Sequence, residues 1–133
     1  MVAAYEAAKV EPRLVALNLV GPEDGTAALA TDDQGVSRSS MTGEYLRAVT
    51  DQNLGYLDLK TLSRNSLEYS FLPGASLFTD FSSLTIAPAC ADGADTSGTT
   101  TPTSACATYL SANARAAAQW ELERRYRVFA SAY

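Results

Sequence analysis

The stretch RLVALNLV, residues 13–20, is the clearest strand pattern in this chain, and its isolation limits what the chain can fold into. Pro12 and Gly21 bound it, and a continuous apolar run of this kind is typical of a buried strand in a parallel sheet. The next candidate, TAALA at residues 26–30, is weaker because alanine is a poor strand former. One or two strands leave their edges uncovered. We therefore predict a mainly α-helical fold with one or two short strands.

Helical periodicity appears in the N-terminal half. Residues 2–9 are strong helix formers. Ser40 or Thr42 can cap a second helix, which has Glu44 in its first turn and an expected buried stripe of Tyr45, Leu46 and Val49. Asp58 is the predicted N-cap of a third helix, whose apolar face comprises Leu59, Leu62, Ser66, Leu67 and Phe71.

The C-terminal part predicts one long helix over residues 107–130. Glu121 and Arg125 are one turn apart and can form an ion pair on its exposed side. The helix also carries an apolar stripe, which usually means core packing and here comprises Leu122, Tyr126, Phe129 and Tyr133.

Two cysteines bracket a low-complexity segment. Residues 91–105, ADGADTSGTTTPTSA, are small and polar and cannot build a core. In an oxidising compartment Cys90 and Cys106 can close this loop as a disulfide, worth roughly 3 kcal/mol by loop entropy. In a reducing cytoplasm they remain two unrelated thiols. We predict the disulfide, and the wide spacing without a second pair argues against a zinc site on these cysteines.

The chain contains no histidine. Histidine is the usual general base near neutral pH and the commonest metal ligand. Its absence excludes a Ser-His-Asp triad, a Cys-His pair and a histidine-rich zinc site built from these residues.

The charge balance also argues against nucleic acids and anionic membranes as the main partners. Fifteen acidic and ten basic residues give a net charge of -5 and a pI near 4.6. Nucleic acids and anionic membranes both require a basic footprint, so we expect neither as the main partner. The one basic cluster, at Arg124, Arg125 and Arg127, is expected near a helix end, where the helix dipole favours cations. Residues 1–13 lack the basic start and apolar core of a secretion signal.

Several stretches together resemble one family. LATDDQGVSRSSMTGEYLRAV (residues 29–49) and LKTLSRNSLEYSFLPGASLF (residues 59–78) are similar to the C-terminal part of metal-dependent adenosine deaminases. The likeness is greatest to the exported, growth-factor-related branch. LNLVGPEDG (residues 17–25) resembles a mid-barrel strand and loop of that branch, and QWELE (residues 119–123) resembles a run in its final helix, after a cysteine-bracketed loop.

The resemblance implies a zinc-dependent (β/α)8 barrel that hydrolyses adenosine to inosine and ammonia. It places Asp32 at the metal-ligand position and Asp33 and Gly21 at purine-contact positions. A zinc ion lowers the pKa of its bound water, and a neighbouring carboxylate can orient the purine ring against the resulting hydroxide. Without the flanking match, a Thr-Asp-Asp-x-Gly segment is most often a turn.

The sequence lacks the other metal ligands and catalytic residues of the family pattern. The family's His-x-His pair, its further histidines and its proton-shuttling glutamate have no match here. The GPEDG loop and the TDD segment, several strands apart in the family, are joined by residues 26–30. A barrel takes about 250 residues, and catalytic zinc uses three protein ligands. The chain resembles an internally deleted, N-terminally truncated copy, and we predict that alone it retains neither Zn²⁺ nor deaminase activity.

This interpretation gives a single partial domain. Residues 1–25 are the mid-barrel strand and loop, residues 26–78 the last strand and following helices, residues 79–106 the cysteine-bracketed loop and residues 107–133 the C-terminal helix. The alternative is a helical interaction module that self-associates through an exposed strand edge or complements another chain. The family suggests an extracellular or periplasmic location, although these residues contain no export signal.

Overall fold

The computed structural model describes residues 17–19, 27–31, 34–91 and 101–133, and these are mainly helical with short strands. The predicted mainly helical class is therefore confirmed, whereas the helix predicted over residues 2–9 lies outside the described residues. The chain divides into two compact units, Met1–Tyr69 and Ser70–Tyr133. The boundary between them falls inside residues 26–78, which the sequence interpretation treated as one segment.

The first unit contains a short antiparallel strand pair. Strand β1 (Leu17–Leu19) pairs with strand β2 (Ala27–Leu29), and Asn18 lies opposite Ala28. The parallel pairing expected for the first strand is wrong, because a parallel pair needs a crossover of a dozen or more residues and only residues 20–26 separate these strands. The weaker strand prediction, in TAALA, is confirmed by β2.

Three helices follow in the first unit: α1 (Gln34–Ser37), α2 (Met41–Thr50) and α3 (Tyr56–Glu68). Ser40 caps α2 as predicted, since its side chain accepts a hydrogen bond from the Gly43 N–H at 3.1 Å. The cap of α3 is Gly55 rather than Asp58. Asp58 lies in the first turn and accepts a hydrogen bond from the Gly55 N–H at 2.8 Å.

Helix α2 packs through its smallest apolar side chain. Ala48 is fully buried and forms a core with Ala27, Leu29 and Leu62. Leu46 and Val49, predicted to be buried, are 62% and 43% exposed. Each residue of a helix turns about 100° from the last, so the side that presents Ala48 to the strand directs Leu46 to the opposite side.

The second unit begins with a strap, by which we mean the backbone of Ser70–Leu77, followed by a hairpin of β3 (Phe78–Asp80) and β4 (Thr85–Ile86). A 3-10 turn over Pro88–Cys90 follows the hairpin, so part of residues 79–106 is regular structure rather than loop. The Asp80 carboxylate closes the hairpin by accepting hydrogen bonds from the Ser82 and Ser83 hydroxyls at 2.6 and 2.8 Å. These bonds, led by that from Ser82, lower the pKa of Asp80 to about 2.

From residue 101 onward, the described residues form two helices, α4 (Ser104–Ala112) and α5 (Ala114–Ala132). The single helix predicted over residues 107–130 is wrong, because Asn113 between them has extended backbone angles of φ −133° and ψ 93°. A distant contact favours this break. The Asn113 side chain accepts a hydrogen bond from the Ala75 N–H at 2.7 Å and donates one to the Tyr109 carbonyl at 2.9 Å.

The core of the second unit forms where the hairpin meets the two helices. Cys90 and Cys106 lie within it at bonding distance, with sulfur atoms 2.01 Å apart, as the predicted disulfide requires. The other buried members are Leu77, Phe78 and Ala116, and Trp120 packs against them. Among the residues that the structure describes, the predicted stripe of Leu122, Tyr126, Phe129 and Tyr133 is not part of this core. Phe129 and Tyr133 are exposed, and their tilted rings lie 4.9 Å apart.

Gly74 provides a test of the strap geometry. Its φ is +97°, and a Cβ built there would lie 2.6 Å from the Asn113 Cα. We expect Gly74→Ala to destabilise the second unit by about 1–3 kcal/mol, because the residue must leave the left-handed region or displace Asn113. Urea unfolding followed by the fluorescence of Trp120, the single tryptophan, measures this unit.

Gly55→Ala is the matched control. Gly55 has an ordinary φ of −86°, and an added Cβ would meet only the Asp58 carboxylate, at 3.5 Å. This variant should leave the Trp120 transition where it is in the wild-type chain. Equal shifts in the two variants would contradict the close approach assigned to Gly74.

Candidate functional site

The candidate site is the segment that follows β2 and carries Asp32 and Asp33. Both aspartates, and Gly21, lie outside the described residues, so their assignments stay predictions. The residues on either side of the aspartate pair are described, and they define how the backbone is held before and after it.

A buried amide holds the strand before the pair. The Asn65 side chain, on α3, is 3% exposed and donates a hydrogen bond from Nδ2 to the Ala27 carbonyl of β2 at 2.8 Å. Leu62, one turn earlier on α3, is buried against the same strand. Buried polar groups need such partners, so this bond fixes α3 against the strand that leads to Asp32.

A second hydrogen bond closes the segment after the pair. The Ser39 hydroxyl donates to the Thr31 carbonyl at 3.0 Å, across the residues that include both aspartates. Ser40 then caps α2, so the chain enters that helix directly after this contact. Hydrogen bonds from the Asn65 and Ser39 side chains to backbone carbonyls therefore hold the chain on both sides of the aspartate pair.

Helix α2 also carries a buried carboxylate. Glu44 is buried, and its Oε1 atom lies 3.4 Å from the Arg47 guanidinium. The sequence indicated an acid in the first turn but gave no sign of its burial. In addition, the Tyr45 and Ser63 hydroxyls share a hydrogen bond that joins α2 to α3.

The described residues do not supply the ligands that catalytic zinc requires. Within residues 17–19, 27–31, 34–91 and 101–133, no group of three or more cysteine, aspartate or glutamate side chains is arranged to hold a metal ion. The two cysteines are bonded to each other. The sequence contains no histidine, so the histidine ligands of the family's zinc site have no counterpart here. The described residues therefore do not by themselves form the zinc site that the family resemblance implies, and the expected loss of Zn²⁺ stays a prediction.

The Arg124–Arg125 cluster is engaged by a neighbouring carboxylate. Glu121 accepts hydrogen bonds from the Nε atoms of both arginines, each at 2.7 Å. These bonds, led by that from Arg124, lower the pKa of Glu121 to about 2. The predicted Glu121–Arg125 pair is thus confirmed. The cluster lies within α5, which continues to Ala132, rather than in its last turn.

A second cluster of polar side chains, which the sequence analysis did not predict, holds the strap. Gln119 is 2% exposed, and its Oε1 atom accepts hydrogen bonds from the Leu77 N–H at 2.7 Å and the Ser76 hydroxyl at 3.2 Å. The Tyr109 hydroxyl donates to the Ser76 carbonyl at 2.7 Å. The end of the strap is therefore bonded to side chains of both α4 and α5.

Arg115 holds the beginning of the strap. Its guanidinium Nη2 lies 3.3 Å from each of the Ser70 and Leu72 carbonyls, and its own backbone N–H donates to the Pro73 carbonyl at 3.2 Å. Together with Asn113, these contacts give an irregular segment the hydrogen bonds that a helix or sheet would otherwise provide.

Signals for two of these residues are present in the sequence. Asn65 follows Leu62 by three positions and so falls on the apolar face of α3, where a polar residue suggests a buried bond. Gln119 opens the QWELE run, which the family resemblance singled out without assigning a role. Neither pattern identifies the partner, because Ala27 and Leu77 lie 38 and 42 residues away in the sequence.

No family model matches the chain, and comparisons with curated proteins and with solved structures give no match. The resemblance of residues 29–78 to adenosine deaminases therefore stays a prediction. Of the helices that the structure describes, none has the length and apolar content to span a bilayer.

Asn65→Asp tests whether the buried amide secures the strand. An ionised carboxylate cannot donate to the Ala27 carbonyl and leaves it unsatisfied, so we expect a loss of about 1–3 kcal/mol in the first unit. Hydrogen exchange at the α3 amides measures this directly. Asn53→Asp makes the same chemical change at an exposed residue with a φ of 55°, which aspartate tolerates, and should have little effect. Similar exchange in both variants would contradict the anchoring role.

Proposed function

We propose that this chain descends from the C-terminal part of a zinc-dependent adenosine deaminase of the (β/α)8-barrel class, and that the 133 residues alone do not turn over adenosine. The observation that carries the proposal is a strand end followed by paired aspartates, in a chain that contains no histidine. In this proposal Asp32 is the former metal ligand, and Asp33 and Gly21 are the former purine contacts.

The position of the aspartates supports the descent. Barrel enzymes carry their catalytic groups just beyond the carboxyl ends of strands. Strand β2 ends at Leu29, and the two aspartates follow within a few residues. The bonds from Asn65 to Ala27 and from Ser39 to Thr31 hold the backbone on both sides of the pair. In an enzyme, a carboxylate at a strand end keeps its position only if hydrogen bonds of this kind hold the neighbouring backbone.

Two observations support the loss of activity. Catalytic zinc uses three protein ligands, and the described residues offer no such group. The antiparallel pairing of β1 and β2 also differs from a barrel, in which every strand is parallel to its neighbours. This pairing agrees with a deletion that brought the GPEDG loop next to the TDD segment.

The direct test is adenosine turnover by the purified chain with added zinc, measured as inosine formation beside Asp32→Ala. We expect no inosine from either protein and no zinc retained after dialysis. Asp51→Ala, which removes an exposed carboxylate at the end of α2, is the matched control. Turnover that is present in the wild-type chain and in Asp51→Ala but lost in Asp32→Ala would contradict the proposal. Turnover equal in all three proteins would identify a contaminating enzyme.

The second candidate function is an interaction module that self-associates or binds another chain. The observation in its favour is the exposure of large apolar side chains on the helices of the first unit, namely 62% for Leu46 on α2 and 74% for Leu57 on α3. An exposed apolar side chain can contribute to an interaction surface where it joins others in a contiguous patch. Sedimentation at two concentrations tests the self-association. A mass that rises with concentration supports self-association, and a monomer at both concentrations removes it.

A further inference from the structure

We propose that the Cys90–Cys106 bond makes the folding of the second unit, Ser70–Tyr133, dependent on the redox state of its surroundings. The unit is folded when the bond is intact, and it unfolds far more readily when a dithiol reductant opens the bond. The position of the bond, the size of the core and the length of the loop that the bond closes all favour this dependence. The redox dependence is separate from the proposed deaminase ancestry.

The bond lies at the centre of the unit rather than on its surface. Cys90 is 1% exposed and ends the 3-10 turn after the hairpin, whereas Cys106 is fully buried in the first turn of α4. Both pack with Leu77, Phe78 and Ala116. The bond therefore connects the hairpin to the helices through the core itself.

The core around the bond is small. Among the described residues, two of the five in its buried cluster are the bonded cysteines, and Ala116 contributes only a methyl group. A domain below roughly 70–80 residues seldom reaches useful stability from its apolar core alone and commonly adds disulfides. The second unit is below that size, so we expect the bond to provide a large share of its stability.

The loop closed by the bond sets the expected size of the effect. The two cysteines are 16 residues apart in the sequence. Closing a loop of this length in the unfolded chain changes the ratio of folded to unfolded protein roughly a hundredfold, which is about 3 kcal/mol at 1.4 kcal/mol per tenfold. In a unit with a small core, a hundredfold fall in the ratio of folded to unfolded protein is enough to populate the unfolded state.

The chemical step is a thiol–disulfide exchange. A dithiol reductant transfers two electrons and two protons, the Cys90–Cys106 sulfur–sulfur bond breaks, both cysteines become thiols and the reductant becomes a disulfide. Its thiolate must reach one of the two sulfur atoms, which are buried in the folded unit. Reduction therefore proceeds through transient opening, so the folded oxidised unit is protected, whereas a reduced chain opens more often.

The test is urea unfolding of the full chain with and without dithiothreitol, followed by Trp120 fluorescence. Trp120 is the only tryptophan and packs against the core that contains the disulfide, so its emission reports on the second unit. We expect the midpoint to fall on reduction, with the folded-to-unfolded ratio lower by about a hundredfold. Exchange at the α3 amides of the first unit, measured by mass spectrometry, should not change.

The double variant Cys90→Ala/Cys106→Ala separates the bond from any other effect of the reductant. Its Trp120 transition should match that of the reduced wild-type chain and should not respond to dithiothreitol. The proposal is overturned if the wild-type midpoint is the same in both conditions, or if dithiothreitol shifts the double variant equally. If the double variant does not fold at all, titration of the wild-type chain with reductant still measures the dependence.

Discussion

The hydrogen bond that the buried Gln119 side chain accepts from the Leu77 N–H is the interaction on which the arrangement of the second unit depends. The strap, Ser70–Leu77, belongs to no helix or strand, yet its backbone groups need partners wherever they are buried. Gln119 accepts the Leu77 N–H directly before β3, so it fixes the start of the hairpin relative to α5. Arg115, Asn113 and Tyr109 hold the rest of the strap in the same way. The hairpin and helices can then enclose the disulfide.

In the first unit, too, a buried side-chain amide forms a hydrogen bond to the backbone of a distant segment. The strand pair of this unit has only three residues a side, which is too little to be stable alone. Asn65 reaches from α3 to the Ala27 carbonyl, and Ala48 and Leu62 pack on the strand. A helix side chain thus replaces a neighbouring strand as the partner of β2. In the proposed ancestry, this arrangement retains one strand end of a former barrel after the neighbouring strands have been lost.

The sequence predicted features that depend on neighbouring residues better than those that depend on distant ones. The Ser40 cap, the Glu121–Arg125 pair and the helical class follow from local spacing, and all three are found. The break at Asn113 could not be predicted from helical periodicity, because it depends on the Ala75 N–H, 38 residues away. The burial of Ala48 in place of Leu46 likewise follows from how closely α2 approaches β2. For Asp32, Asp33 and Gly21, the proposed roles come from the family resemblance alone.

Amide hydrogen exchange at Leu77 is the most direct test of this account. Leu77 lies outside any regular element, so local structure alone would leave its N–H unprotected. If the bond to the Gln119 side chain organises the second unit, this amide should exchange only when the whole unit unfolds, at the rate of the most protected amides of α5. Exchange at Leu77 as fast as in exposed loop residues would contradict the account and would place the stability of the unit in the disulfide and helices alone.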